Sequence, residues 1–299
     1  MVVVKKRLIV IEGPTGAGKT ALSIALAKHF NTEVISADSR QIYQGMTIGT
    51  AAIKPEEMQG VPHHFVGVLP LDHNFNAFEY EKQALALIEQ RFALYDHLIL
   101  CGGSMLYIDA VCKGIDEMPD VDLRIRESLK KRVEVEGLDA LLPELAKADP
   151  IYYAQVDKKN PARVVHGLEV FLTTGKPISS FRKSAPKQRA FDIVKVGLDL
   201  PREELYDRIN RRVDKMLEEG LLDEVKSLLP WRECNALKTV GYREFFDYFD
   251  GKIDLEEAIR LVKRNSRRYA KKQLTWFRKD GDVHWFSPDE VDAVLAYLS

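Results

Sequence analysis

Gly13-Pro14-Thr15-Gly16-Ala17-Gly18-Lys19-Thr20 follows the apolar run Arg7-Leu8-Ile9-Val10-Ile11 and precedes Ala21-Leu-Ser-Ile-Ala-Leu-Ala-Lys28. The octapeptide matches G-x-x-x-x-G-K-[ST] at every fixed position. The β-branched residues before it favour a strand, and the Ala/Leu-rich stretch after it favours a helix. Strand, glycine loop and helix in this order begin a βαβ unit, which implies a parallel sheet with its ligand at the carboxyl ends of the strands. Glycines let the loop curl until its N–H groups face one anion, and the helix N-terminus adds partial positive charge. Lys19 supplies a full charge, and the Thr20 hydroxyl can reach a phosphate oxygen or a Mg2+ ion. Gly13 to Thr20 is therefore a candidate polyphosphate site.

Working outward, Glu33-Val-Ile-Ser36, His97-Leu-Ile-Leu-Cys101 and Phe191-Asp-Ile-Val-Lys-Val-Gly-Leu198 read as further strands. Pro201 opens a helix through Glu219 with Gly220 as its C-cap, and Leu255 to Arg278 is a second long helix. Between Asp116 and about Gln188 the periodicity is helical, broken at Pro119, Gly137, Pro150, Pro161 and Gly175-Lys-Pro177. The expected class is α/β: a P-loop parallel sheet flanked by helices, with a mostly helical insertion domain. The expected core is 1–115 with 191–299, and the expected insertion is 116–190.

The chain has 299 residues, 45% hydrophobic and 30% charged, with a formal net charge of −1. That balance neither favours nor opposes a nucleic-acid partner; only the distribution of charge can. No apolar run reaches the roughly 18 residues of a membrane span. The N-terminus, with its basic residues after the first valines, does not read as a signal peptide. Cys101, Cys112 and Cys234 lack metal-ligand spacing, and Cys101 reads as a buried thiol. The expectation is a reduced, cytoplasmic protein with no membrane contact. No exposed apolar stripe is visible in the sequence, so a monomer is expected.

A phosphate loop alone does not specify a reaction. Hydrolases and kinases with this loop usually have an apolar strand ending in Asp, which helps hold Mg2+. Here the corresponding run ends in Cys101-Gly102-Gly103. The nearest acid is Asp38, in Ser36-Ala-Asp-Ser-Arg-Gln-Ile-Tyr43. It can serve as a turn cap or as a carboxylate beside the bound anion. Arg208, Arg211 and Arg212 lie on the helix after Pro201; by spacing they form a solvated basic face. From Ala258 to Lys279 there are nine basic residues and no acidic one. They are Arg260, Lys263, Arg264, Arg267, Arg268, Lys271, Lys272, Arg278 and Lys279. Such a helix suits RNA phosphates, or salt bridges to acidic neighbours. Arg182, Lys183, Lys187 and Arg189 form a smaller cluster that can grip RNA or belong to a plain loop.

Taken together, the phosphate loop, Ser36–Tyr43, Gly45-Met-Thr-Ile-Gly-Thr-Ala51 and Pro62-His-His64 resemble the tRNA dimethylallyltransferases. So do Gly102-Gly-Ser-Met-Leu-Tyr107, Asn160-Pro-Ala-Arg163 with Leu168-Glu-Val170, Val240-Gly-Tyr-Arg243 and Tyr269-Ala-Lys-Lys-Gln-Leu-Thr-Trp-Phe-Arg278. The matches run in family order over nearly the whole chain. The resemblance implies transfer of a dimethylallyl group from dimethylallyl diphosphate to N6 of the adenine beside the anticodon of tRNA, with Mg2+. It implies that the loop holds the prenyl donor's diphosphate. It makes Asp38 the general base, and Thr20 and Arg212 the residues that settle the leaving group. It places the anticodon stem-loop against Asp38, Ser39, Arg40, Gln41, Ser104, Arg126, Lys159, Asn160, Arg163, Lys238, Gly241 and Arg243. Two departures stand out: Ser104 where the family commonly has Thr, and Gly16-Ala17 for the commoner Ala-Ser. No Cys/His zinc finger follows, so the bacterial form is expected. The rival readings are a nucleoside or nucleotide kinase, a prenyltransferase acting on free AMP, and a non-catalytic RNA-binding protein.

Overall fold

The computed structural model describes residues 5–182 and 186–299. Among these, six parallel strands form one sheet: β1 (Arg7–Glu12), β2 (Val34–Ser36), β3 (His63–His64), β4 (His97–Cys101), β5 (Asp192–Leu198) and β6 (Val283–Phe286). Their order is β3-β2-β4-β1-β5-β6. Because β1 is central, it is buried on both faces. Leu8 and Val10 pack with Tyr80 and Ile88 on one side, and Ile9 and Ile11 pack with Leu22 and Leu26 on the other. That explains its continuous rather than alternating apolar pattern.

The helices are α1 (Lys19–His29), α2 (Ala77–Phe92), α3 (Met105–Lys113), α4 (Leu123–Glu136), α5 (Leu142–Ala148), α6 (Pro150–Gln155) and α7 (Pro161–Thr174). They continue as α8 (Arg202–Glu218), α9 (Leu221–Ser227), α10 (Arg243–Phe249), α11 (Leu255–Phe277) and α12 (Val291–Leu298). The chain divides into two compact units, 1–113 with 188–299, and 114–187. The sequence reading set the same two junctions slightly later, at 116 and 190.

The second unit is built from α4 to α7. Gly137 terminates α4, Pro150 and Pro161 open α6 and α7, and Gly175 ends α7 in the left-handed region at φ 71°. Each breaker acts as its backbone chemistry requires. Leu129, Leu145, Val164 and Leu168 form this unit's own apolar core.

Two strands escape the sequence reading. β3 has only two residues and is held by pairing to β2. β6 has four, including His284, and pairs with β5. Neither is long enough to show a period.

What matters for function is the edge where the strands end. The order β2-β4-β1 sets the segments after Ser36, Cys101 and Glu12 side by side. The Ala37 amide donates to the Cys101 carbonyl at 2.8 Å, and the Gly102 amide to the Ile11 carbonyl at 3.1 Å.

Candidate phosphate-binding and catalytic site

The loop from Gly13 to Gly18 leaves β1 and enters α1. Gly13 (φ 147°) passes so close to β5 that a Cβ would lie 2.7 Å from the Leu198 carbonyl oxygen. Gly16 and Gly18 are also left-handed, at φ 83° and 92°. These positions demand glycine. Pro14 and Ala17 are buried, whereas Thr20 is exposed on the first turn of α1. Lys19 Nζ donates to the carbonyls of Gly13 at 3.0 Å and Pro14 at 2.8 Å. Burial lowers the Lys19 ammonium to about 8; Arg212 adds to that shift, while Cys101 and Asp38 oppose it. An anion at the loop would favour the charged form. Burial pushes the Cys101 thiol up, so it stays protonated.

The three arginines of α8 separate cleanly. Arg208 is paired with Glu204 at 2.8 Å and Arg211 with Asp207 at 2.5 Å, both i, i+4 on the surface. Arg212 turns to the loop: NH1 donates to the Thr15 hydroxyl at 3.0 Å and NH2 to the Thr50 carbonyl at 3.3 Å. Spacing made all three a solvated face, and for Arg212 that is corrected. It is a half-buried cation at the loop, its pKa pulled down by desolvation and supported by Asp38.

Asp38 follows β2. Its Oδ1 accepts from the amides of Arg40 at 2.9 Å and Gln41 at 3.2 Å, so it does cap a turn. Among the described residues no hydrogen bond reaches Oδ2, and the carboxylate is half-buried. The two sequence alternatives are therefore compatible: one oxygen holds the turn and the other is open to react. Ser104 fixes this turn from β4's side. Its Oγ accepts from the Ser39 amide at 2.8 Å and donates to Ser39 Oγ at 3.1 Å. Gly102 permits the approach, since a Cβ there would lie 2.1 Å from the Ala37 carbonyl oxygen. Gln41 Nε2 reaches the Thr50 and Ala51 carbonyls, both at 3.2 Å. Arg40 donates to the Asn235 carbonyl at 2.8 Å.

Two residues of this site are not legible from spacing. Gln273, buried on α11, accepts from the Thr15 amide at 2.9 Å and donates to the Gly103 carbonyl at 2.8 Å. Glu224 on α9 accepts from the amides of Thr47, Ile48 and Gly49 at 3.0, 2.6 and 2.9 Å, and from the Tyr242 hydroxyl at 2.7 Å. Glu224 thereby holds the 47–50 segment whose last carbonyl receives Arg212. The only sequence signal was indirect: Gln273 and Tyr242 lie inside motifs quoted above.

The remaining candidates are dispersed. In the first unit Lys238 and Arg243 are exposed, and Gly241 is left-handed at φ 92° with its amide on Glu244. On α11, Arg260 pairs with Glu257 and Lys263 with Asp214, and Arg278 pairs with Asp199. Arg268, Lys271, Lys272 and Lys279 are exposed and form no ion pair among the described residues. The salt-bridge alternative thus holds for Arg260, Lys263 and Arg278. Arg189 is not a free cation: it is buried on Glu81 at 2.8 Å and on the Val111 carbonyl. Lys183 lies outside the described residues.

In the second unit Arg126 grips the buried Glu169 through two bonds of 2.7 and 2.8 Å. Asn160 caps α7, accepting from the Arg163 amide at 3.3 Å. Lys159 and Arg163 are exposed. This unit also carries a cavity of about 600 Å³ lined by Arg126, Lys130, His166 and Glu169 among others.

The IPP transferase family model matches residues 41–280. The chain belongs to the IPP transferase family. A tRNA dimethylallyltransferase 1 of Phocaeicola vulgatus is 52% identical over 291 residues, covering 97% of each chain. Another, from Bacteroides thetaiotaomicron, is 51% identical, covering 97% of this chain and 94% of the other. The crystal structure of a tRNA isopentenylpyrophosphate transferase from Bacillus halodurans is 40% identical and superposes with a TM-score of 0.73, over 98% of this chain and 96% of that one. A eukaryotic dimethylallyltransferase crystallised acting on tRNA is 28% identical, with a TM-score of 0.80, over 95% of this chain and 74% of that one. The family match begins after the phosphate loop. The Ser104 hydroxyl bonds Ser39. Gly16, at φ 83°, lies in the left-handed region that favours glycine.

Proposed function

We propose that this protein transfers a dimethylallyl group from dimethylallyl diphosphate to N6 of the adenine beside the anticodon of a tRNA. The observation that carries the reading is the joint placement of an anion-binding loop and an open carboxylate oxygen at one sheet edge, on strands separated by β4 alone. The family relatives supply the substrate class.

The chemistry fits these residues. The N6 lone pair is delocalised into the ring and is a poor nucleophile. The N6–C bond forms at the allylic carbon as its C–O bond breaks, and the diphosphate leaves with the electron pair. Asp38 Oδ2 takes the N6 proton, which is worth about 10²–10⁴-fold as general-base catalysis. The loop amides, Lys19 and Arg212 spread the leaving charge. Asp38 keeps its Oδ1 in the turn, so its direction is set before substrate arrives.

Mg2+ is part of the proposal. Among the described residues no group of three or more His, Cys, Asp or Glu could hold a metal ion. The chain offers the exposed Thr20 hydroxyl, which suits an ion otherwise held by diphosphate oxygens and water. Such an ion would share the charge of the departing diphosphate.

On the RNA side, we read Asp38, Ser39, Arg40, Gln41, Ser104, Lys238, Gly241 and Arg243 as tRNA contacts of the first unit, and Arg126, Lys159, Asn160 and Arg163 as tRNA contacts of the second. The target base must leave its stack to meet the donor. We also read the protein as a cytoplasmic monomer. Among the described residues no helix is long and apolar enough to cross a membrane.

The test is direct. Purified protein, Mg2+ and labelled dimethylallyl diphosphate are incubated with unmodified tRNA or with AMP. Label in tRNA supports the reading, and label in AMP alone sinks it.

A further inference from the structure

We propose that Gln273 is a positioning residue that sets the distance between the phosphate loop and the Asp38 turn. The inference rests on the prenyl transfer proposed above.

β1 and β4 hold the bases of their loops together, and the last backbone bond between them is the Gly102 amide to the Ile11 carbonyl at 3.1 Å. Beyond it the two loops rise separately. Gln273 spans them: Oε1 on the Thr15 amide, 2.9 Å, and Nε2 on the Gly103 carbonyl, 2.8 Å. From Gly103 the path continues through Ser104 to the Ser39 amide at 2.8 Å, next to Asp38. A single side-chain amide thus connects the segment that would grip the donor to the segment that would deprotonate the acceptor.

The strut has a rigid mount. Gln273 is 2% exposed, and Ala270 and Phe277, one turn either side on α11, are 0% and 2% exposed. It also has a fitted seat, since a Cβ on Gly103 would lie 2.4 Å from Nε2. A carboxamide is the side chain that can both accept from an amide and donate to a carbonyl while staying neutral beside an anion. Each end of Gln273 is engaged by one of the two loops. Its role is therefore exerted through the two loops, on the geometry of transfer rather than on binding.

Gln273→Leu keeps the volume and removes both bonds. It should lower kcat by about 10²-fold, the scale of a one-ångström misplacement. The KM for dimethylallyl diphosphate, and the Kd for inorganic diphosphate with Mg2+, should stay within about threefold. Gly103→Ala pushes on the strut from its other end, its Cβ meeting Nε2 at 2.4 Å while Lys19 Nζ stays at an ordinary 3.8 Å, and should give the same kcat-selective loss. Combining the two should cost little more than either alone. Thermal melting of each variant reports whether it folds. A kcat within twofold of wild type in both variants overturns the proposal. So does a loss carried by weaker diphosphate binding, which would make Gln273 part of the anion site. A wild-type protein that binds diphosphate but transfers no label to tRNA fails the prenyl-transfer reading instead, and is recognised before either variant is compared.

Discussion

The Arg212 guanidinium donates to the Thr15 hydroxyl at 3.0 Å, whereas Arg208, one turn earlier on α8, is paired with Glu204 at 2.8 Å. Two arginines on the same helix face are thereby separated into an anion-site cation and a surface ion pair. The difference comes from where the loop lies, not from the spacing.

Arg212→Ala should therefore reduce kcat/KM by about 10²–10³-fold, the usual cost of losing one donor to a developing charge. Arg208→Ala should stay within about twofold of wild type, because exposed pairs of this kind contribute little. Steady-state transfer to tRNA measures both. Equal losses would remove Arg212 from the site.

Asp38→Asn separates the two jobs of Asp38. The Asn side-chain oxygen can still accept from the Arg40 and Gln41 amides, so the turn and tRNA binding should persist. The amide cannot take the N6 proton. Turnover should fall by about 10²–10⁴-fold with the tRNA Kd little changed, read by filter binding beside the transfer assay.

Glu224→Gln loosens the 47–50 segment. The carboxylate gathers three amides and a phenol, and charge-assisted bonds are the strong ones. A neutral amide can accept at one oxygen only. The expected cost is roughly 1.5–3 kcal/mol of stability, as for a hydrogen bond to a charged group. A drop in activity should accompany it, because Thr50 holds Arg212. Denaturant unfolding and transfer rates test this together.

Glu12, the last residue of β1, is 2% exposed, and its Oε1 has no hydrogen-bond partner among the described residues. Burial raises its carboxyl from 4.5 to about 7, with Lys195 opposing and Asp280 and Asp109 adding. The fold favours the protonated form. That contribution is fully present below about pH 4.5 and is lost as pH rises to about 7. Asp280 and Glu169 do not mask it. Against burial, Lys195 and Lys113 hold Asp280 at about 2, and Arg126 and His166 hold Glu169 at about 2, so both act only in acid. Burial lowers the imidazoles of His63 and His97, which adds stability as pH rises in the same window. The Glu12 contribution is therefore read against Glu12→Gln: the stability of wild type relative to the variant should fall between pH 5 and 8, by a few kcal/mol at most at roughly 1.4 kcal/mol per pKa unit. Parallel slopes in urea unfolding would contradict it.

The parts of the fold readable in the sequence are those written in local chemistry. Gly13, Gly16 and Gly18 mark the loop because their backbone conformation admits little else. Gly137, Pro150, Pro161 and Gly175 mark the second unit's helices for the same reason. β3 was missed because two residues carry no period. Gln273 and Glu224 were missed because their partners are 258 and 177 residues away, and spacing rules see only neighbours. Arg212 was reachable only through family resemblance, and its distinguishing feature is tertiary. Asp38 was left between two roles because one oxygen caps the turn and the other carries no hydrogen bond among the described residues, so the two do not compete.

The most direct measurement is the position of the new group. Unmodified anticodon stem-loop RNA is incubated with the protein, Mg2+ and dimethylallyl diphosphate, then digested to nucleosides and sequenced by mass spectrometry. The account predicts one dimethylallyl group on N6 of the adenine beside the anticodon, and none with Asp38→Asn over the same time. Modification at another base, or equal product from Asp38→Asn, would contradict it.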